Sequence, residues 1–253
     1  MRTVKMLAAA IGLLTACLTG GQAHAAQTNV AVAANFTDAA KEIAATFKQK
    51  TGHEAVLSFG SSGQLYTQIT QAAPFQILLS ADQDRPKRAV DDGLGVPDSR
   101  FTYAIGKLVL WSKKPDFVKG ADTLKDTTFA KLAICNPATA PYGAASVETL
   151  KSLKVYNTLQ PKIVQGQDIT QAFQFVDTGN AELGFVALSQ IAGNGNGSRW
   201  VVPQNLYTPI RQDAVLLKTG ANNEAAVAFM TFLKGPEARA IIERYGYAID
   251  SKS

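Results

Sequence analysis

Cysteine and histidine are almost missing from this sequence, with two of each in 253 residues. Two cysteines cannot build a disulfide framework or a structural zinc site, and two histidines are too few for a histidine-rich metal centre. Charge of one sign is not gathered anywhere either. Lys and Arg number 25 and Asp and Glu 20, a net +5 without basic runs, which argues against nucleic acid as a partner. After the N-terminal stretch Met6–Leu18, no apolar run comes near the ~20 residues that a membrane-spanning helix needs. What is present is a globular mixture, 46% hydrophobic and 18% charged. The length suits one or two domains of ~100–200 residues each, and a core of that size needs no covalent staples.

Residues 1–25 read as a secretory leader. Arg2 and Lys5 make a positive start, Met6–Leu18 is apolar apart from Thr15, and Ala23-His24-Ala25 supplies a small-x-small cleavage pattern. The run is too short for a bilayer anchor, so the mature chain is expected to be exported and soluble. Cleavage after Ala25 removes Arg2, Lys5, Cys17 and His24, which lowers the net charge from +5 to +3 and leaves Cys135 and His53. An alternative stays open: Leu14-Thr15-Ala16-Cys17 has the form of a lipobox, which would put a lipid on Cys17 instead.

Strand and helix patterns then alternate. Asn29–Ala34 is a β-type run, and Thr37–Lys50 places Ala39, Ala40, Ile43, Ala44 and Phe47 on one helical face before Gly52. Ala55–Phe59, Ile77–Ser80, Lys107–Ser112, Leu132–Cys135, Ile163–Gln165, Leu183–Ala187 and Asp213–Leu217 read as strands. Helical patterns cover Ser62–Ala72, Pro86–Asp92, Tyr142–Leu153, Thr170–Thr178, Asn223–Leu233 and Pro236–Tyr245. Gly193–Gly197 is a short loop, and there is no repeat at periods of 20–50 residues. The order predicts parallel βαβ units, an α/β fold and two lobes of about a hundred residues each.

Four strand-to-helix junctions share one character, small and polar without central charge: Ala33–Thr37, Gly60–Gly63, Ala140–Gly143 and Gln167–Thr170. In parallel sheets, ligands sit where strands end and helices begin. Helix N-termini also expose unpaired N–H groups and the positive end of the dipole, so converging termini can hold an anion without Lys or Arg. Each junction has a plainer reading. Asn35, Thr37 and Asp168 suit N-caps. Pro141 suits a first helical turn, which would leave Tyr142 an ordinary surface residue. Ser61-Ser62 offers two hydroxyls where a cap needs one.

Catalytic readings find little support. Ser62 as a nucleophile would need a base, and His53 follows Gly52 at a helix end. Gly-x-Ser-x-Gly, Gly-x-Gly-x-x-Gly and the phosphate-loop pattern are absent. Asp82, Asp84, Asp91 and Asp92 suit solvated turns, and Cys135 sits in an apolar strand where a thiol is inert.

Several longer segments together resemble the periplasmic molybdate-binding proteins of ABC transporters, which have the type II periplasmic-binding-protein fold. They are Val32–Thr37, Ser58–Leu65, Leu79–Asp82, Gly184–Ser189, Phe232–Ala238 and Tyr245–Tyr247. The resemblance runs from about Asn29 to Ile249. It implies a ligand cleft between lobe I (26–105 plus 216–253) and lobe II (106–215), a periplasmic location and a membrane permease as partner. It also implies a monomer, with no cofactor beyond the bound molybdate or tungstate.

The ligand set implied by the resemblance falls on the four junctions. Asn35 stands where other members have a serine, Ser62 matches a hydroxyl ligand, and Tyr142 matches a ligand of the asparagine-bearing branch. Ile169 matches a backbone N–H contact, and Ala34 lies where that branch can have a threonine. These groups would touch the metal only through its oxygens. Ala187 replaces a ligating tyrosine of the serine branch, a loss that Tyr142 would cover. Gln76 replaces a common aspartate.

Molybdate and tungstate are fully deprotonated tetrahedral dianions, so their oxygens only accept hydrogen bonds. A pocket of neutral donors, namely the Ser62 hydroxyl, Asn35 amide, Tyr142 phenol and backbone N–H groups, suits them. It also avoids burying further fixed charges. The expected function is capture and delivery of such an ion without chemistry on it. Two alternatives are a receptor for sulfate or another tetrahedral oxyanion, and a secreted serine hydrolase using Ser62.

Overall fold

The computed structural model of the protein describes residues 25–126, 128–193 and 196–250. The expected leader lies outside these residues except for Ala25, as does Cys17. The chain runs β1 (Gln27–Ala33), α1 (Thr37–Thr51), β2 (Glu54–Gly60), α2 (Ser62–Thr70), β3 (Ile77–Leu79), α3 (Asp84–Asp91) and β4 (Phe101–Gly106). It continues with β5 (Leu108–Ser112), β6 (Leu132–Cys135), α4 (Pro141–Ser152), α5 (Tyr156–Leu159), β7 (Ile163–Gly166), α6 (Ile169–Asp177), β8 (Leu183–Ala187) and α7 (Leu188–Ile191). The last elements are β9 (Ser198–Val201), β10 (Ile210–Leu216), α8 (Glu224–Leu233) and α9 (Pro236–Arg244).

Two five-stranded sheets result, ordered β2-β1-β3-β10-β4 and β7-β6-β8-β5-β9. Strand alternation divides the side chains between their faces. Val30 and Val32 of β1 pack with Ile43 and Phe47 of α1 and Phe229 of α8, whereas Ala31 packs with Leu65 and Ile69 of α2 and Ala89 of α3. In the second sheet Leu108 and Leu110 share a core with Tyr142 and Leu150 of α4, while Val109 and Trp111 pack with Val176 of α6 and Ile191 of α7. Helices thus cover both faces of each sheet. Strand β8, between two neighbours and two helical layers, is buried at every residue, and its sequence is accordingly almost continuously apolar. Edge strand β2 alternates instead, leaving Val56 and Phe59 exposed.

The sheets are mixed rather than wholly parallel. Strands β2, β1 and β3 run parallel, as do β7, β6 and β8, but β10 and β5 enter antiparallel to their neighbours. Each of these two strands arrives from the other sheet, which reverses its direction relative to a βαβ crossover. The chain leaves the first sheet at Gly106 and enters the second at Leu108. Its return comes earlier than the expected 216: β9 ends at Val201 in the second sheet, and β10 already pairs with β3 and β4 from Ile210. The apolar Asp213–Leu217 run marked this strand but carried no signal of which sheet it would join. Gln76, the departure from the common aspartate, ties the N-cap of α8 to β1: its side-chain oxygen accepts from Asn29 N and Asn223 Nδ2, both at 3.2 Å.

The carboxyl ends of β1, β2, β6 and β7 each lead into the N-terminus of a helix, and these are the four junctions singled out above. The fold therefore brings them to the line between the lobes.

Candidate functional site

At the β2–α2 junction the two serines divide the work. Ser61 is the N-cap of α2 in a reciprocal capping box with Gln64. Ser62, released from that duty, is 1% exposed, and its Oγ accepts from Ala81 N at 2.9 Å. Among the described residues nothing accepts the Ser62 hydroxyl proton, so it is free to donate. Gly63, next in the helix, gives its N–H to Thr139 O of the other lobe at 2.9 Å. A Cβ there would lie 3.0 Å from Thr139 Cα, so glycine lets the lobes meet.

Asn35 is not a cap. Thr37 Oγ1 donates to Ala34 O at 2.8 Å, while the Asn35 side chain, 4% exposed, turns into a buried network. Its Nδ2 donates to Gln212 Oε1 at 2.9 Å and to Tyr247 Oη at 3.0 Å. Both amide protons are therefore committed behind the junction rather than free for a ligand, which departs from the expectation for this side chain. The Asn35 carbonyl accepts from the Tyr247 phenol at 2.7 Å and from Ser189 Oγ at 2.8 Å. Ala34 has no side-chain donor, and its carbonyl also faces Thr170 Oγ1 at 3.4 Å.

Across the cleft, Pro141 starts α4 and Tyr142 follows it. Tyr142 is 2% exposed, not a surface residue, and Gln212 Nε2 donates to its oxygen at 3.3 Å. Among the described residues no group accepts its phenolic proton. Burial pushes the Tyr142, Tyr103 and Tyr247 hydroxyls above the usual tyrosine range, so all three remain protonated. Ile169, buried at the first position of α6, has the N–H of an unpaired first turn. Asp168 caps that helix by accepting from Gln171 N at 2.9 Å, so its carboxylate serves its own helix. Ala187, buried at the end of β8, presents no side-chain donor.

The contacts Gly63–Thr139, Ala34–Thr170, Asn35–Ser189 and Gln212–Tyr142 tie all four junctions across the two lobes. Arg85 adds a fifth contact, donating to Ala138 O at 3.2 Å while paired with Asp82. Grooves flank the cleft on both sides, one lined by Asp82, Asp84, Glu148 and Arg211, the other by Asn35, Asp38, Lys41 and Thr170. Among the described residues Asp213 is the one buried charge. It is held by Arg100, Thr102 and Gln83. Among the described residues no metal-ligating cluster occurs.

The geometry does not support a Ser62 nucleophile. His53 and Ser62 flank the seven-residue β2, a separation of about 23 Å at ~3.3 Å per residue. His53 is occupied by accepting from Ala26 N at 3.2 Å. Cys135 is buried in β6, and burial pushes its thiol up, away from the reactive thiolate.

Gln212 and Tyr103 carried no expectation from the sequence; Thr170, Ser189 and Tyr247 lay within segments already singled out, but without a role in the site. The available signal for Gln212 was a polar Arg-Gln-Asp run inside a central strand that is otherwise apolar.

Residues 28–248 match the family described as bacterial extracellular solute-binding protein. The chain is 56% identical over 228 residues to the molybdate-binding protein ModA of Rhodobacter capsulatus, covering 90% of each chain. It is 52% identical over 232 residues to ModA of Azotobacter vinelandii, covering 90% of this chain and 92% of that one. The solved periplasmic molybdate-binding protein of Azotobacter vinelandii superposes with a TM-score of 0.86 at 42% identity, over 88% of this chain and all of that one. Two mixed α/β sheets, a cleft closed at four helix N-termini and relatives of this similarity agree: the chain belongs to the periplasmic molybdate-binding proteins within the bacterial extracellular solute-binding protein family.

Proposed function

We propose that this protein captures molybdate or tungstate in the cleft between its lobes and delivers the ion to an ABC permease, working as an exported monomer without chemistry on the ligand. One observation supports this reading most. Ser62 and Tyr142, from opposite lobes, each have a lone pair taken by a protein N–H and a proton with no acceptor among the described residues. They are donors waiting for an oxyanion. Ser62, Tyr142 and the N–H of Ile169 contact the ion's oxygens, so molybdenum has no direct protein ligand. Asn35 and Ala34 contribute through the backbone of their junction, because the Asn35 amide protons are engaged elsewhere.

Neutral donors suit a dianion because the cleft closes without extra cations to desolvate. The absent tyrosine at 187 is covered by Tyr142 from another loop. Leader cleavage at Ala25 frees the chain into the periplasm.

Sulfate has the same hydrogen-bonding character as molybdate and differs in size, so the names of the relatives favour the larger ions. Calorimetric titration of the purified mature chain tests this. Molybdate and tungstate should bind in one-to-one stoichiometry at least ~100-fold more tightly than sulfate, a gap of about 2.7 kcal/mol. Equal or tighter sulfate binding would make the protein a sulfate receptor instead.

A further inference from the structure

We infer that Gln212 is a positioning residue for the bound oxyanion: it fixes the direction of the Tyr142 proton across the cleft. Gln212 is fully buried in β10, directly before the irregularity in pairing between Gln212 and Asp213. Such irregularities re-aim a side chain relative to the regular pleat. Its Oε1 accepts from Asn35 Nδ2 at 2.9 Å and lies 3.1 Å from the Tyr103 hydroxyl, whose one proton it shares with Ser80 O at 3.2 Å. With the oxygen anchored on that side, the amide nitrogen faces Tyr142. It donates to Tyr142 Oη at 3.3 Å.

The consequence is a matter of lone pairs and protons. A phenol has one proton and can either give or receive along a given direction. With Nε2 donating to its oxygen, Tyr142 cannot point its proton back at Gln212. That proton is left for the ligand. Gln212 thereby converts an ambiguous hydroxyl into a committed donor, and a dianion with no proton of its own is the ligand that such a site accepts.

Gly106 supports the assignment independently. It ends β4 one residue before the chain crosses between the sheets. A Cβ at this position would lie 2.1 Å from Tyr142 Oη and 2.7 Å from Gln212 Nε2, so the crossover leaves space for this pair. Gln212 sits in the first sheet and Tyr142 in the second lobe, so the contact joins donor orientation to lobe closure.

This inference rests on the proposed role of Tyr142 as a ligand, and a double-mutant cycle separates the two. Molybdate affinity is measured by calorimetry for the wild type, Tyr142→Phe, Gln212→Met and the double variant. Gln212→Leu provides a second uncharged arm, because it fills a similar volume with neither amide group. If Gln212 acts through the phenol, either change at 212 should weaken binding by roughly five- to thirty-fold when Tyr142 is present, no more than Tyr142→Phe itself does. The loss should be at least about five-fold smaller in the Tyr142→Phe background. Equal losses in both backgrounds, with Tyr142→Phe itself weakening binding, would overturn the role of Gln212 and leave Tyr142 a ligand. No change on Tyr142→Phe would overturn both.

Discussion

The two lobes share one sheet plan but prepare the site differently. In lobe I, Asn35 stands on a dense buried network of Gln212, Tyr103 and Tyr247, and Ser62 is fixed by the N–H of Ala81. Lobe II brings Tyr142 and Ile169 from the first turns of α4 and α6, with an apolar core beneath them. Its principal side-chain donor is oriented by a residue of the opposite lobe. The first half of the site is therefore built before closure, and the second is completed by it. For a binding protein that must also release its cargo, this places the labile part of the site on one side.

Substitutions can break this asymmetry. The largest effect is expected at Ser62, the prebuilt half. A hydrogen bond to a charged group contributes ~1.5–3 kcal/mol, so Ser62→Ala should weaken molybdate by roughly ten- to a hundred-fold in calorimetry. Ser61→Ala, one residue away, should instead cost about 0.5–2 kcal/mol of ligand-free stability by chemical denaturation, with affinity nearly unchanged. Similar losses of affinity for both serines would erase the division of labour between cap and ligand.

On the lobe II side, Tyr142→Phe removes one donor and retains the ring. A loss of ~1–2 kcal/mol, about five- to thirty-fold in Kd, is expected. The ligand-free melting temperature should move little, because the lost oxygen accepts only one long bond. A smaller change is expected for Arg85→Gln at the edge of the cleft. Its pair with Asp82 and its bond to Ala138 O are partly solvated, so affinity should drop by less than about five-fold, with faster release in stopped-flow measurements. Complete loss of binding would mean that a cation, rather than neutral donors, holds the ion.

The smallest effect below about pH 9 should come from pH itself. Burial holds Tyr103, Tyr142 and Tyr247 neutral, raising them above the ordinary tyrosine pKa of about 10 that their unfolded forms adopt. A raised pKa leaves stability intact below that value. Stability is lost as pH climbs above it, because the unfolded chain then releases protons that the folded chain retains. Melting temperature should be flat from pH 7 to about 9 and fall beyond ~10. Tyr142→Phe should show a shallower alkaline fall than the wild type.

The sequence made the four junctions legible because their signals are local. Small polar residues between a strand and a helix, Ser61-Ser62 between glycines, and Asp168 before a helical pattern each show in a few adjacent letters. The role of Gln212 was not legible, because its partners Asn35, Tyr103 and Tyr142 stand 177, 109 and 70 residues away. The same holds for β10, whose place between β3 and β4 depends on pairings that no local pattern encodes. Ser198–Val201 was not legible as a strand for a related reason: a four-residue edge strand with one neighbour needs little apolar sequence. Phe101–Gly106, also an edge strand, runs into the next strand after the single residue Lys107, so the sequence does not mark two strands there. Asn35 shows the converse. Its identity as a junction residue was readable, but the direction of its amide was decided by Tyr247 and Gln212.

The central claim is that the cleft offers hydrogen-bond donors and no acceptor to its ligand. Sulfate and hydrogen phosphate test it most directly, because at mildly alkaline pH they share charge and shape and differ by a single proton. In competition calorimetry against molybdate, sulfate should displace the ion measurably, and hydrogen phosphate should be at least about ten-fold weaker, since its proton meets only donors. Hydrogen phosphate binding as well as sulfate would contradict the account and place an acceptor inside the site.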